Sequence, residues 1–404
     1  MTDQAHDSGY SWMRLGLTLG IAMVANVGMW AIIVIMPAVQ AEFGTGRAGA
    51  SLPYTLTMIG FAIGNFAVGR AVDRWGVSRV LIACSIGIAA GYGLATLSTS
   101  ILALSLAQLL IGFGTSVGFG PLIADISHWF MRRRGIAVAI VASGNYLSGA
   151  IWPIVLARIL AEDGWRAAYA ILAAATMLVV IPLAFALRRQ VPDTAHDVAQ
   201  AASSARAGSV GIGPRPLAWL LGLAGVGCCV AMSMPQVHIV SYCVDLGYGP
   251  AVGAEMLSLM LLGGVASRLV SGLLADVLGG VRTLLLGSVL QAVALALYLP
   301  SDALISLYVV SLVFGLSQGG IVPSYAIIVR EYMPAREAGA RVGFVLMATI
   351  LGMALGGWLS GLIYDLSGSY SLAFWNGILW NGLNIGIMLW LLGRSRARGV
   401  PQPA

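Results

Sequence analysis

The chain has 404 residues, of which 59% are hydrophobic and only 9% charged. A soluble domain carries about 25% charged residues, so there is too little charge here to coat a water-facing surface, and a soluble enzyme is excluded. The formal net charge of +6 rests on 22 basic residues, all arginine. They sit in short inter-helix loops rather than along one face, which is a topology signal and not a nucleic-acid footprint.

Residues 1–12 are polar, and the apolar run that follows is too long for the core of a signal peptide. It is predicted as the first of twelve spans, at 15–38, 50–69, 79–98, 101–127, 135–158, 166–187, 216–244, 251–274, 281–299, 303–329, 338–363 and 371–392. Twelve spans of about 20 residues with short loops account for the length. The one long polar stretch, 189–214, is rich in Ala, Ser, Gly and Pro and reads as a flexible linker. The prediction is an all-α membrane protein of twelve transmembrane helices, with six-helix bundles at 1–188 and 215–404. If the N-terminus is cytoplasmic, eighteen arginines fall on the cytoplasmic side, and only Arg47, Arg158 and Arg166 face outward. That imbalance places both termini inside, in the inner (plasma) membrane.

The two halves repeat. Between spans two and three the chain reads Gly69-Arg-Ala-Val-Asp73-Arg74-Trp-Gly76-Val-Ser-Arg79. Between spans eight and nine it reads Gly272-Leu-Leu-Ala-Asp276-Val-Leu-Gly279-Gly-Val-Arg282, with Gly, Asp, Gly and Arg at the same spacing. Pro121 and Pro323 keep nearly the same offset. Parallel repeats of this kind place a substrate between the halves near the midplane. In each loop the first glycine is expected to permit close helix approach, and Asp73 to cap a helix start or pair with a nearby arginine.

Ionisable residues inside spans are the sharpest functional signal. Arg268 lies in span eight behind Gly263-Gly264-Val-Ala266-Ser267, with no acid within a helical turn. It is expected to stand without a nearby partner and to take an anion, since a guanidinium matches a carboxylate through two parallel hydrogen bonds; the alternative is an arginine snorkelling to the interface. His238 follows Pro235 in span seven. It is either a proton relay or a neutral histidine bonded to a neighbouring helix. By depth, roughly 12 Å from the outer end of its span against roughly 26 Å for Arg268 at about 1.5 Å per residue, the two do not grip one small anion together. Asp125, before the run Arg132-Arg133-Arg134, is expected to pair with that cluster, the alternative being a part in proton transport. Asn26, Asn145, Tyr146, Gln236, Gln318, Tyr325, Asn376 and Asn384 lie at span depth, and Phe119 and Trp30 are candidate cavity walls. Glycines crowd span four (Gly112, Gly114, Gly118, Gly120) and span eleven (Gly352, Gly356, Gly357), as close helix packing requires. The four cysteines lie in apolar stretches and read as packing residues. No phosphate loop, nucleophile triad or metal cluster is apparent, so no cofactor and no enzymatic activity are expected.

The Gly-x-x-x-Asp-Arg-x-Gly-x-x-Arg loop resembles the signature loop of the major facilitator superfamily, and the twelve spans, central linker and second loop copy extend that resemblance over nearly the whole chain. It implies a cytoplasmic latch for the outward-open state formed by Gly69, Asp73, Arg74, Gly76 and Arg79 with Gly272, Asp276 and Arg282. Pro235-Gln-Val-His238, Asp245-Leu-Gly247, Arg268, Trp129-Phe130-Met-Arg-Arg-Arg134 and Phe119-Gly120-Pro121 are similar to segments of the monocarboxylate porter and oxalate–formate antiporter branch. That resemblance implies a transported carboxylate held by Arg268, with His238 and Phe119 along its path; Asn145 and Tyr325 are further candidates, a proton is the expected companion, and a monomer the expected unit. The chain departs from the animal porters in having Gly264 where they carry an aspartate and no lysine in span one. It also lacks the second cation that the antiporters carry in span eleven, since 342–363 has no charge. One buried cation balances one carboxylate, which favours a monoanion over a dianion. A drug exporter is the competing expectation, although Ser148-Gly149 stands where its span-five signature has Gly-Pro; a solute sensor is the remote one.

Overall fold

The structure, a computed structural model, describes residues 7–130, 133–189, 212–333 and 335–397, and is helical almost throughout. The helices run, in order, α1 (Gly9–Ala25), α2 (Val27–Phe43), α3 (Arg47–Trp75), α4 (Val77–Thr96), α5 (Ile101–Thr115), α6 (Gly120–Ser127), α7 (Arg134–Ala175), α8 (Ile181–Ala186), α9 (Pro214–Asp245), α10 (Pro250–Leu278), α11 (Gly280–Tyr298), α12 (Leu304–Gln318), α13 (Ile321–Tyr332), α14 (Ala335–Ser367) and α15 (Ser371–Ala397). Eleven continuous stretches among the described residues are long and apolar enough to cross a membrane. The longest, 135–186, contains Gly164 at φ 81°, ψ 172°, a non-helical conformation that divides it into two pieces, each of spanning length. Residues 190–211 of the expected linker lie outside the described residues.

The helices turn apolar side chains outward. Leu178, Leu273 and Leu379 are each more than 70% exposed, while Gln108, Gln291, Asn381 and Asn384 are fully buried. That is the pattern of a protein whose outer solvent is hydrocarbon and whose polar groups find one another inside.

By contact the chain divides into two units, Met1–Pro192 with Val237–Leu262, and Asp193–Gln236 with Gly263–Ala404. In the first, α3 and α5 pack backbone to backbone. A Cβ on Gly112 would lie 2.0 Å from the Thr57 carbonyl oxygen, and one on Gly60 would lie 2.1 Å from that of Leu109. Span one breaks at Asn26, between α1 and α2, and span four breaks between α5 and α6 through a 3-10 turn, Ser116–Gly118, and Phe119. The two breaks meet: Asn26 Nδ2 donates to the carbonyls of Ala22 (2.7 Å) and Gly118 (2.9 Å). In the second unit, span ten breaks at Gly319–Gly320, between α12 and α13. The sequence pattern anticipates spans four and ten as continuous; the structure interrupts both, at corresponding positions of the repeat.

At one end of the first unit a buried ion pair ties its helices. Arg14 on α1 is 1% exposed, and its Nε and Nη2 donate to both oxygens of Asp125 on α6 at 2.9–3.0 Å. Its Nη1 donates to the carbonyls of Leu187 and Arg189, both at 3.2 Å, and the Trp129 ring lies 4.6 Å away. This corrects two expectations. Arg14 is a core residue, not a loop residue, and Asp125 pairs with it, because packing α1 against α6 brings a fully desolvated guanidinium to the carboxylate; Arg132 and the side chain of Arg134, in the cluster expected to pair with Asp125, lie outside the described residues.

Two outcomes follow from this packing. Gly112→Val should lower the thermal unfolding midpoint in detergent by several degrees, through overpacking of about 1–3 kcal/mol. Gly93→Val, where an added Cβ would meet nothing within 4 Å, should leave that midpoint unchanged. Arg14→Leu strands a buried carboxylate and should destabilise by about 3–5 kcal/mol, while Arg14→Leu/Asp125→Leu should recover much of that loss. Thermal unfolding of wild type, Arg14→Leu, Asp125→Leu and the double variant checks the non-additivity.

Candidate functional site

The break in span ten has a local cause. A carbonyl in a helix is bonded by the amide four residues on, and for Gly319 that residue is Pro323, which has no N–H. The missing donor comes from another helix: Arg268 Nε on α10 bonds the Gly319 carbonyl at 3.2 Å. The small residues before Arg268 allow the approach. A Cβ on Gly319 would lie 2.1 Å from the Gly264 carbonyl oxygen and 2.8 Å from the Arg268 nitrogen, so the two backbones touch. Arg268 is 8% exposed. The expectation that it stands without a partner is corrected, since a backbone carbonyl holds its Nε and orients the guanidinium plane.

Next to this bond lies a second polar pair. Gln236 on α9 and Gln318, the last residue of α12, are both buried, and Gln236 Nε2 donates to Gln318 Oε1 at 2.6 Å. Gln318 Nε2 is buried and has no hydrogen-bond partner. Gln318 and Gly319 are consecutive, so neighbouring residues carry the amide side chain and the carbonyl that anchors Arg268. Sequence reasoning counted both glutamines among eight neutral residues at span depth. The signal that would have singled out Gln318 is its position immediately before Gly319-Gly320 and Pro323.

Tyr325 on α13 belongs to another cluster of the same unit. Its hydroxyl donates to Asn384 Oδ1 (2.8 Å), whose Nδ2 donates to Ser288 Oγ (2.7 Å), and Asn381 Nδ2 donates to the Ser288 carbonyl (2.8 Å). The chain of bonds links α13, α15 and α11.

The remaining candidates fall in the first unit. Phe119 stands at the break of span four at φ −123°, ψ −94°, its ring 6.1 Å from that of Phe61. Asn145 on α7 receives the Trp30 indole N–H on its carbonyl oxygen (3.0 Å) and on Oδ1 (3.1 Å). His238 is fully buried on α9, which runs on as helix through Pro235. His238 groups with the first unit and Arg268 with the second. Arg47, expected in an outward-facing loop, is instead 6% exposed and paired with Asp245, the last residue of α9. Neither was legible as a pair, because 198 residues separate them.

The two loop copies share a turn. Gly76 takes φ 82°, ψ 153° and Gly279 takes φ 79°, ψ 166°, a region closed to residues with a Cβ. These are the glycines the turn requires. At Gly69 and Gly272 a Cβ would meet nothing within 4 Å, so the expected close helix approach is absent there. Asp73 lies exposed in the last turn of α3, so it caps no helix start, and Arg74 lies 5.7 Å above the Trp75 ring. Arg79 is exposed on the first turn of α4 and Arg282 half-buried on that of α11. The side chain of Asp276 lies outside the described residues. In the second copy the loop is capped from elsewhere: the Gly280 amide donates to both Glu331 carboxylate oxygens, at 3.1 and 3.3 Å.

Comparison with known proteins agrees with this architecture. The family model described as Major Facilitator Superfamily matches residues 18–254 and 243–404. Monocarboxylate transporter 13 of Bos taurus is 29% identical over 381 residues, covering 91% of this chain and 86% of that protein. Monocarboxylate transporter 11 of Homo sapiens is 29% identical over 330 residues, covering 76% and 67%. The agnestins efflux protein AgnL12 of Paecilomyces divaricatus is 26% identical over 338 residues, covering 83% and 75%. Among solved structures, a bacterial homolog of the human lysosomal transporter Spinster, inward-facing and unoccupied, superposes with a TM-score of 0.68 at 13% identity over 96% of both chains. With repeated halves, the same interruption in spans four and ten, and a family match along nearly its whole length, the chain belongs to the major facilitator superfamily of membrane transporters.

Proposed function

We propose that this transporter moves a small monocarboxylate across the inner (plasma) membrane by alternating access, with a proton as the coupled ion. The observation that carries the reading is Arg268, a buried guanidinium in the span region whose plane is set by the Gly319 carbonyl at a helix break. Interrupted spans at corresponding positions of two repeats are where transporters of this build hold substrate. A guanidinium fork takes a carboxylate in two parallel bonds, and Gln318 Nε2, buried with no partner, adds a neutral donor on the neighbouring residue. A charge at the centre of a span costs about 2.5–3.5 kcal/mol on insertion scales, a cost that a bound anion offsets. A second substrate charge adds several kcal/mol of desolvation, and 342–363 supplies no second cation, so the monoanion is the better fit.

In this reading His238 relays the proton, and Phe119 and Asn145 line the path. Tyr325 acts through its hydrogen-bonded network, holding α13 in place. The loop residues Asp73, Arg74, Arg79 and Arg282 belong to the conformational latch, the six-helix halves 1–188 and 215–404 move as the two bodies, and the working unit is a monomer. The relatives named monocarboxylate transporters support the substrate class; the fungal relatives named as efflux proteins favour a second reading, export of a larger organic product.

Uptake of radiolabelled short carboxylates into proteoliposomes, with and without an imposed pH gradient, tests both. Wild type should take up at least one monocarboxylate, faster with the gradient. Arg268→Gln at equal abundance should lose uptake of every acid, and Arg268→Lys, which keeps the charge but not the fork, should fall by about tenfold or more, the worth of one charge-assisted bond. Near-normal uptake by Arg268→Gln would sink the carboxylate reading, and transport of only larger neutral compounds would favour the second.

Topology has its own check. Reporter fusions at residue 200 and at the C-terminus should both report the cytoplasm, and periplasmic activity at either would overturn the arginine-count argument.

A further inference from the structure

The end of the first unit that holds the Arg14–Asp125 pair also holds a cleft of about 780 Å³. Its floor is that pair, already mutually satisfied. Its walls come from separate parts of the chain: Arg74 from the end of α3 and Arg79 from the start of α4, and Arg188 and Arg189 from the segment after α8. Beyond the floor, four more arginines therefore line the cleft, with Asp73 as the carboxylate beside them and His128 completing the titratable lining. Three of the four are held by aromatic rings that orient them without neutralising them. The Arg188 guanidinium lies 4.3 Å from the Phe185 ring, that of Arg189 lies 4.8 Å from Tyr10, and that of Arg74 lies 5.7 Å from Trp75.

An arginine excess at one end of a bundle is what orientation requires, but orientation does not require that the charges converge. A concave site lined by one sign of charge concentrates the field and draws counter-ions. Guanidinium forks suit phosphate oxygens as they suit carboxylates, and basic pockets between transmembrane helices at this depth take lipid headgroups. The cleft lies at the ends of spans, where such a headgroup sits.

We propose that this cleft binds a phosphate group, carried by an anionic phospholipid headgroup or by a soluble phosphate, and that the bound group joins the α3–α4 turn to the segment after α8. The site is separate from Arg268 and does not depend on what that residue carries.

The test titrates the purified full-length chain in neutral detergent with two probes, short-chain phosphatidylglycerol and inorganic phosphate, and reads affinity. Arg188→Gln/Arg189→Gln should weaken binding about tenfold or more, the worth of one or two charge-assisted hydrogen bonds. Arg79→Gln, on a different wall, should weaken it in the same direction, and this single change keeps the result readable should the double variant fold poorly. Arg330→Gln/Arg394→Gln removes the same charge from the second unit and should stay within about twofold of wild type, a change far smaller than one such bond. Saturable binding of phosphatidylglycerol alone assigns the site to a lipid headgroup, and equal binding of inorganic phosphate assigns it to a soluble anion; either supports the proposal. Equal losses in the cleft and control variants would show a delocalised charge effect and overturn it, as would the absence of saturable binding of either probe to wild type.

Discussion

Hydrocarbon offers a backbone carbonyl no partner, and an unbonded one costs several kcal/mol. That constraint organises the interior of this protein. Its spans one, four and ten are interrupted, and each interruption frees backbone groups that water cannot reach. The chain answers with side chains from neighbouring helices: Asn26 donates to the Gly118 carbonyl in the first unit, and Arg268 donates to Gly319 in the second. Asn26 and Arg268 stand where the backbone needs them, and close contacts at Gly118 and Gly319 bring the helices near enough for the bonds to form.

The two halves solve the same problem differently, and the difference is chemical. Both carry a proline after the break, Pro121 and Pro323, and both use a positive-φ glycine between the second and third spans of the half, Gly76 and Gly279. Yet the donor at the break is a neutral amide in the first half and a cation in the second. A repeat with one cover replaced by a guanidinium acquires a charge at the place where its helices are already interrupted. Under the proposed function that charge is what lets the second interruption hold an anion while the first stays structural, with the fold unchanged.

Two further ion pairs bind distant parts of the first unit, Arg14 to Asp125 and Arg47 to Asp245. The buried Arg14–Asp125 pair contributes little net stability against an apolar replacement, but removing one partner is expensive; the Arg47–Asp245 pair, with Asp245 exposed, contributes less still. They are better understood as registers. Arg14 fixes α1 against α6 and the segment after α8, and Arg47 fixes the start of α3 against the end of α9. Each lies at the end of a helix, where sliding one span past another would be felt first.

Much of this protein was legible in its sequence. Hydropathy located the spans, because a run of about 20 apolar residues has no other stable place. The repeated Gly-Asp-Gly-Arg spacing disclosed the duplication, and Arg268, as a charge within an apolar span, stood out as a functional candidate. What remained hidden was pairing. Arg14 resembles any arginine at the start of a span, and its partner Asp125 is 111 residues away; the run 132–134 next to Asp125 drew attention away from it. Gln318 was one polar residue among several until Gln236 took its oxygen and left its nitrogen unbonded. Composition and periodicity report what each segment needs from its solvent, a local property. Which donor reaches which orphaned carbonyl or carboxylate depends on helix contacts across a hundred residues or more, and only the tertiary structure decides it.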